Sequence, residues 1–387
     1  MYSLLIILIY LAFISLGLPD SLLGSAWPIL HEQINVPISA MGIISMVVSG
    51  GTIISSLLSD KVTRKFGTAK VTIVSVALTA IALMGFSFST NIWMILIFSI
   101  PYGFGAGAID AALNNYVATH YSSKHMSWLH CFWGVGTIIS PFVMSYALTY
   151  AKWNTGYQII SLIQFGIAAI LLFTSSVWKI NDNNNTTTES VDDKPIGIID
   201  ALKIRGVIYL LLGFFAYCAA EGVAMAWSTT FLVKAKSVEE TTAAAFGSLF
   251  FIGMTSGRFI GGFFMDKLGD RKMITVGSTI MAIGLALMLI PTSTYILSLI
   301  GLVVLGLGCA PIYPCIIHST PNNFGAENSG AIIGIQMAGA YTGATFIPPL
   351  FGVIGNALGF ELFPIYIVIF TFLMVWMLNK TFKLTQK

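Results

Sequence analysis

Charged residues are scarce in this sequence. Lys, Arg, Asp and Glu make up 9% of its 387 residues, whereas apolar residues make up 56%. A water-soluble domain carries roughly 25% charged residues because its surface faces water. The lack of charge therefore excludes an ordinary soluble domain. Membrane lipid is the surrounding that fits this composition.

Motifs for catalysis and cofactor binding are also missing. The sequence contains no GxxxxGK[ST] loop for ATP, no paired metal-ligand cluster and no nucleophile–base signature. Its cysteines form no CxxC pair, which predicts buried thiols at Cys131, Cys218, Cys309 and Cys315. We expect a protein that is not an enzyme, uses no cofactor or metal, and binds no nucleic acid.

What the sequence does contain is a series of long apolar windows. A stretch of about 20 apolar residues is enough to cross a bilayer core. Twelve such windows are found, at 4–30, 39–59, 69–88, 92–118, 127–150, 156–179, 204–232, 242–265, 272–291, 294–318, 329–351 and 361–379. They predict an all-α membrane protein with an N-terminal six-helix bundle (1–180), a cytoplasmic linker (181–203) and a C-terminal six-helix bundle (204–387).

The basic residues predict how these spans are oriented. Alternate loops and the C-terminal tail hold fifteen of the nineteen Lys and Arg residues, and the side with the basic loops is cytoplasmic in membrane proteins. Both termini are therefore expected in the cytoplasm, in a multi-pass protein of the cell membrane. Arg258 is the one basic residue inside a span. We interpret it as a structural anchor whose head group reaches the cytoplasmic surface.

Landmark residues recur at a nearly constant separation. Ala26-Trp27 matches Ala226-Trp227 at an offset of 200, Gly51 and Asp60 match Gly257 and Asp266 at 206, and Gly136 and Pro141 match Gly343 and Pro348 at 207. Six spans per half give both halves the same orientation, so the repeats are parallel. Such a repeat is typical of transporters that work by alternating access.

Two loops carry a further signature. Asp60-Lys61-Val62-Thr63-Arg64-Lys65-Phe66-Gly67 follows the second span, and Asp266-Lys267-Leu268-Gly269-Asp270-Arg271-Lys272 follows the eighth, after Gly257-Arg258. The chain resembles the major facilitator superfamily in these loops and over essentially its whole length. The resemblance implies twelve helices in two parallel repeats, a monomer, and gating loops that contain Asp60, Arg64, Gly67, Asp266 and Arg271.

Acidic residues inside spans are the strongest candidates for function. Only three of the sixteen acids, Asp20, Asp110 and Glu221, lie well inside predicted spans. A charged residue at a helix centre costs roughly 2.5–3.5 kcal/mol on insertion scales. Such residues are retained where they exchange ions or face a polar cavity, and we predict ion coupling for all three. The alternative is an acid that ties helices together by hydrogen bonds.

The fourth and first spans place polar groups on one helix face. Asp110 and Asn114 are four residues apart, as are Gly103 and Gly107, which would let a neighbouring helix approach closely. An acid beside an amide offers a proton acceptor next to a group that binds hydroxyls; Asn115 adjoins them. In the first span, Asp20, Gly24 and Trp27 share a face, and Pro19 and Pro28 predict a local break in the helix.

With an acid on the first span and an acid–amide pair on the fourth, the chain looks like the fucose permease branch of that superfamily, which consists of sugar:proton symporters. The resemblance implies coupling and sugar recognition by Asp20 and Asp110, with Asn114 as a sugar contact.

Further substrate contacts are predicted beside these acids. His130 and Trp133 lie in the run Leu129-His130-Cys131-Phe132-Trp133-Gly134 of the fifth span. His130 either exchanges protons or hydrogen-bonds a substrate, or it satisfies a carbonyl of a neighbouring helix. Trp27 and Trp227 either stack on a sugar ring or form an interfacial belt. Gln336 is either an amide that lines a cavity or a residue that forms an interhelical hydrogen bond.

The sequence thus predicts a secondary active transporter of a sugar or sugar-like solute, coupled to a proton or sodium gradient. Two alternatives remain open: proton-coupled efflux of amphipathic compounds, and a sensor on the same fold that binds a ligand without moving it.

Overall fold

The computed structural model of the chain describes residues 2–37, 40–178, 196–239, 243, 246, 249–292 and 294–385, and this part of the chain contains helices and no β-strand. The α-helices are α1 (Tyr2–Gly17), α2 (Leu22–Gln33), α3 (Ala40–Phe66), α4 (Thr68–Ser87), α5 (Ile92–His120), α6 (Ser123–Tyr150), α7 (Trp153–Phe173), α8 (Ile198–Lys203), α9 (Val207–Lys236), α10 (Leu249–Leu268), α11 (Asp270–Leu289), α12 (Ile296–Cys309), α13 (Ile312–Phe324), α14 (Ala326–Leu358) and α15 (Phe363–Thr385), with a 3-10 turn at Phe360–Leu362.

The predicted all-α, multi-pass architecture is confirmed. Among the described residues, eleven helical stretches are long and apolar enough to cross a membrane. The eighth predicted span, 242–265, is the one outside this set. Several of its first residues lie outside the described part of the chain, and its helix α10 carries Arg258, Asp266 and Lys267, which lower its hydropathy.

Two spans are interrupted. The first span breaks at Leu18–Ser21, between α1 and α2, and Pro19 lies in this break because proline has no backbone N–H for the helix. Pro28, which was also expected to break the helix, lies inside the continuous α2, so that part of the prediction is wrong. The tenth span breaks at Ala310–Pro311, between α12 and α13, which the sequence analysis did not predict.

The described residues group into two compact units, Met1–Tyr116 with Leu129–Ile196, and Val117–Trp128 with Gly197–Lys387. The predicted division into bundles at 181–203 stays a prediction, since most of that linker lies outside the described residues. Its last part differs from a free linker, because Ile198–Lys203 forms the short helix α8.

Equivalent helix contacts within each unit support the internal repeat. A Cβ added to Gly136 of α6 would overlap the carbonyl oxygen of Ile14 in α1, and one added to Gly343 of α14 would lie 2.8 Å from that of Phe215 in α9. The fifth span therefore packs backbone to backbone on the first span, as the eleventh packs on the seventh. Small residues permit this close approach.

The second and fourth spans approach each other in the same way. A Cβ on Gly51 of α3 would lie 3.2 Å from Cα of Gly103 in α5, and the equivalent Cβ on Gly257 of α10 would lie 3.2 Å from the carbonyl oxygen of Leu307 in α12. Gly107 also faces the backbone of α3, so the close approach predicted from Gly103 and Gly107 is confirmed.

We predict that Gly103→Ala destabilises the protein by about 1–3 kcal/mol, because the new methyl group would overlap the carbonyl oxygen of Val48 and force α3 and α5 apart. The measurement is the melting temperature of the purified protein in detergent. Gly50→Ala is the matched control, since no atom lies within 4 Å of its added Cβ. Equal melting temperatures for the two variants would contradict this packing.

Candidate functional site

Asp20 lies in the break of the first span, where two neutral donors hold its carboxylate. The hydroxyl of Tyr102 in α5 donates to Oδ1 at 3.1 Å, and the indole Nε1 of Trp133 in α6 donates to Oδ2 at 2.8 Å. An indole N–H can only donate, so an ionised carboxylate is its natural partner. Asp20 is also exposed. Both oxygens of this acid are therefore held by neutral donors, although the residue is exposed.

Asp110 has a different setting, buried in α5 and only 4% exposed. The side-chain Nδ2 of Asn114, one turn later, donates to Asp110 Oδ1 at 2.8 Å and to the Asp110 carbonyl oxygen at 2.9 Å. Both amide hydrogens are thus used within the helix. The predicted contact of Asn114 with a sugar stays a prediction. Here the amide positions the acid.

His130 extends this group of residues. Its Nε2 lies 3.1 Å from Asn114 Oδ1, an atom that only accepts, so Nε2 carries the hydrogen. The ring of Phe13 in α1 meets the imidazole edge-on, with centroids 5.5 Å apart. Asp110, Asn114 and His130 therefore form a continuous chain of hydrogen bonds inside the first unit.

Helix α6 connects the two acids of this unit. His130 and Trp133 are three residues apart and share a helix face; one contacts the partner of Asp110 and the other contacts Asp20. The Gly136–Ile14 and Gly17–Trp133 backbone approaches hold α6 against α1. These residues are separate candidates in the sequence, and the structure brings them together.

Glu221 lies in α9, in the second unit, and is paired with a cation. Its Oε1 accepts from Arg258 Nη2 at 3.2 Å and from the Tyr217 hydroxyl at 2.9 Å. The Arg258 side chain is 4% exposed, so the expectation that its head group reaches the cytoplasmic surface is wrong. The physical reason is that a buried acid lies within reach, and pairing removes the need to reach water.

The remaining predicted substrate contacts pack against protein in this structure. Trp27 is buried in α2, with its ring centroid 5.9 Å from that of His31. Trp227 donates to the carbonyl oxygen of Pro348 at 2.8 Å and lies against Gly352. Their stacking on a sugar stays a prediction.

Two predicted polar contacts, Gln336 and Asn115, differ in burial. Gln336 is fully buried and its Oε1 accepts from the Thr320 hydroxyl at 3.0 Å, whereas its Nε2 has no partner among the described residues. Asn115 is half-buried in α5, next to Asn114. Their contacts with a substrate stay predictions too.

The two signature loops share a backbone conformation. Gly67 and Gly269 precede helices α4 and α11 with φ of 84° and 77° and ψ of 149° and 157°, a conformation that glycine adopts at low cost. Both loops therefore turn in the same way, although four more residues separate the glycine from its preceding acid in the first loop.

The acids of these loops have different partners. Asp60 pairs with Arg64 one turn later at 3.1 Å. Asp266 accepts from the Ser122 hydroxyl at 2.9 Å and from the backbone N–H of Lys124 at 3.1 Å, at the N-terminus of α6. A carboxylate at that position satisfies an unpaired N–H and complements the helix dipole. Arg271 lies over the ring of Phe382 at 5.5 Å.

A second cluster, which the sequence did not predict, lies near the same loop. His318 of α13 lies 2.7 Å from Asp270 Oδ2 through Nδ1 and 3.0 Å from the Tyr121 carbonyl oxygen through Nε2. Ser123 Oγ donates to Asp270 Oδ1 at 2.5 Å. Both partners of the ring accept hydrogens, so a doubly protonated imidazole fits this site. Only the acid at position 270 of the signature loop hinted at it.

Comparison with known proteins defines the family. A family model described as the Major Facilitator Superfamily matches residues 9–246 and 209–386. The chain belongs to the Major Facilitator Superfamily. Proteins of this family are transporters and not enzymes.

The chain is similar over most of its length to sugar transporters of this superfamily. It is 21% identical to the glucose/mannose transporter GlcP of Bacillus subtilis over 79% of this chain and 77% of that protein. Its fold is that of the fucose:proton symporter FucP of E. coli in the outward conformation (TM-score 0.74, 16% identity, 96% and 98% of the chains).

The proton:xylose symporter XylE bound to 6-bromo-6-deoxy-D-glucose has the same fold (TM-score 0.79, 14% identity, 98% and 95%). At these identities the structures establish the fold. The predicted resemblance to the Major Facilitator Superfamily is confirmed, and the fold resembles that of the fucose permease FucP.

We predict that Asn114→Ala lowers the stability by about 1–3 kcal/mol, because it leaves the buried Asp110 carboxyl and His130 Nε2 without their partner. The melting temperature in detergent measures the effect. Asn115→Ala is the control, since that side chain is half-buried. Equal melting temperatures for the two variants would mean that the Asn114 amide does not stabilise the hydrogen-bonded chain from Asp110 to His130.

We also predict that Asp266→Asn costs more stability than Asp60→Asn. The first change removes a charge that caps the N-terminus of α6, for which about 0.5–2 kcal/mol is typical, whereas the second removes one ion pair within a helix, for which about 0.2–0.5 kcal/mol is typical. Chemical or thermal denaturation of the two variants side by side measures the difference. A larger loss for Asp60→Asn would contradict the assignment.

Proposed function

We propose that this protein is a secondary active transporter that moves a sugar or sugar-like solute by alternating access, coupled to a proton or sodium gradient. The observation that carries the proposal is the hydrogen-bonded chain Asp110–Asn114–His130, together with the link through α6 to Asp20. An acid with neutral partners in an apolar unit changes its charge more readily than one that is held by a fixed cation. The sugar transport named for GlcP, FucP and XylE supports the choice of solute.

The roles divide among these residues by their setting. Asp20 is exposed and exchanges the ion with water, while the buried Asp110 changes charge when the solute is bound. His130, Trp133 and Asn115, together with Trp27, Trp227 and Gln336, provide the candidate solute contacts. Asn114 joins that set once its bonds to Asp110 rearrange. The Gln336 amide nitrogen, which has no partner in the described structure, is a donor suited to a hydroxyl group.

The proposal also includes the setting of the protein. We place it as a monomer in the cell membrane with both termini in the cytoplasm, because the basic residues lie in the loops expected on that side. The loops containing Asp60, Arg64 and Gly67, and Asp266 and Arg271, then lie on the cytoplasmic side, where we propose that they act in gating.

The test is uptake of a labelled sugar panel into proteoliposomes that contain the purified protein, under an imposed inward proton gradient and then a sodium gradient. We expect accumulation of at least one sugar, and loss of accumulation in Asp110→Asn, because an amide cannot change its charge. Asp200→Asn is the matched control. That acid is exposed, lies in the short helix α8 outside the spans, and pairs only with Lys203 in the described structure.

The outcomes separate the competing functions. Full accumulation by Asp110→Asn would refute the coupling role of this acid. If no sugar accumulates under either gradient, the transport proposal fails for sugars. Drug resistance on overexpression would then favour efflux of amphipathic compounds, and ligand binding without flux would favour a sensor.

A further inference from the structure

Beside Glu221, two acceptors compete for the single hydrogen of the Tyr217 hydroxyl. The Tyr217 hydroxyl oxygen lies 2.9 Å from Glu221 Oε1 and 3.0 Å from the carbonyl oxygen of Cys309. A tyrosine hydroxyl has one hydrogen, and a backbone carbonyl can only accept. Tyr217 can therefore donate to one of these two oxygens at a time, although both lie at hydrogen-bonding distance.

The Cys309 carbonyl is available because of the break in the tenth span. Cys309 is the last residue of α12, and the last carbonyl groups of a helix lack partners within the helix. Tyr217 is fully buried, so water does not reach its hydroxyl. The break thus places a second acceptor beside the tyrosine that faces Glu221.

The protonation state of Glu221 decides which of the two oxygens, Glu221 Oε1 or the Cys309 carbonyl oxygen, accepts the Tyr217 hydrogen. When the carboxylate is ionised, Tyr217 and Arg258 both donate to Oε1. When a proton adds to the carboxylate, the new O–H donates to the Tyr217 oxygen, and the tyrosine hydrogen turns to the Cys309 carbonyl. Arg258 then loses its charged partner. The tyrosine hydrogen and the added proton each have an acceptor, and the only net change is the gain of one proton.

We propose that Glu221 is a second proton-binding site, in the second unit, with Tyr217 and Arg258 as its positioning residues. The inference rests on the proposed function, since it assigns part of the ion coupling to this site. It adds an acid of the seventh span to Asp20 and Asp110, the acids of the first and fourth spans. A proton needs one oxygen, whereas an alkali metal ion needs a shell of several oxygens and would be repelled by the adjacent guanidinium.

The surroundings of Glu221 leave Arg258 as its cationic partner in the described structure. The groups that face it or its partners are Arg258 from α10, Tyr217 and Cys218 from α9, Cys309 from α12 and Tyr313 from α13. From α14, Ala344 and Pro348 pack beside Gly222, and from α15, Met377 and Leu378 pack on Gly213. The charge of the acid is thus balanced by one arginine.

The test is infrared difference spectroscopy of the purified full-length protein on acidification, with no solute present. We expect a carbonyl band of a protonated carboxylic acid to form as the pH is lowered, to be lost in Glu221→Gln, and to be the same in sodium and potassium buffers. In Tyr217→Phe the band should shift in frequency, because the acid O–H loses its acceptor. In Arg258→Gln it should no longer respond to pH, since a buried carboxylate without a counter-charge stays neutral.

Asp200→Asn is the control and should leave the band unchanged. The double variant Glu221→Gln/Arg258→Gln keeps a neutral, polar pair. It replaces the single variants in this test if one of them does not fold. It should lack the band. An ion pair that only ties helices together would change stability in these variants without producing such a band. A pH response in Glu221→Gln equal to that of the native protein, or no band in the native protein, would overturn the proposal.

The spectrum also distinguishes this proposal from the transport proposal. Because no solute is added, a missing band refutes the proton site at Glu221 and leaves sugar uptake to be judged by accumulation in vesicles. A normal band without any sugar accumulation would instead refute sugar transport and leave the proton site standing.

Discussion

Charge buried in an apolar surrounding costs several kcal/mol unless it is paired or hydrogen-bonded, and the acids inside the spans show three ways of meeting this constraint. Asp20 is exposed at a helix break and accepts from two neutral donors. Asp110 is buried beside an amide of its own helix. Glu221 is paired with Arg258. These settings differ in how easily the charge is lost, and this difference is the basis of the separate roles that we propose for the three acids.

Close helix packing places these groups within reach of each other. Glycines allow α6 to contact the backbone of α1, and α5 to contact that of α3, which leaves only short gaps for side chains to bridge. His130 and Trp133 then reach partners on α5 and in the break of the first span without long, flexible side chains. The same backbone contacts recur in the second unit, whose acid nevertheless accepts from an arginine as well as from a neutral tyrosine. The repeat therefore conserves the packing while the two sites differ chemically.

The sequence predicted the all-α fold, the repeat and the break at Pro19, because these follow from hydropathy, glycine positions and proline chemistry. It also predicted Asp110 and Asn114 on one face, since helical spacing determines that. It did not predict that Arg258 meets Glu221 or that His318 meets Asp270, because both contacts depend on how helices far apart in sequence rotate against each other. The break at Ala310–Pro311 was missed for a related reason: a proline within a long apolar window does not show whether the helix bends or ends. The second acceptor for Tyr217 depends on that break.

Helix α10 connects the Glu221 site to the loop before α6. Arg258 and Asp266 are eight residues apart on this helix, about 12 Å at 1.5 Å per residue. Between them, Ser127 donates to the Arg258 carbonyl at 2.6 Å, and the ring of Trp128 lies against Gly262. Asp266 then holds the N-terminus of α6 through Ser122 and Lys124. One continuous helix, α10, therefore carries both the arginine that pairs with Glu221 and the acid that caps α6.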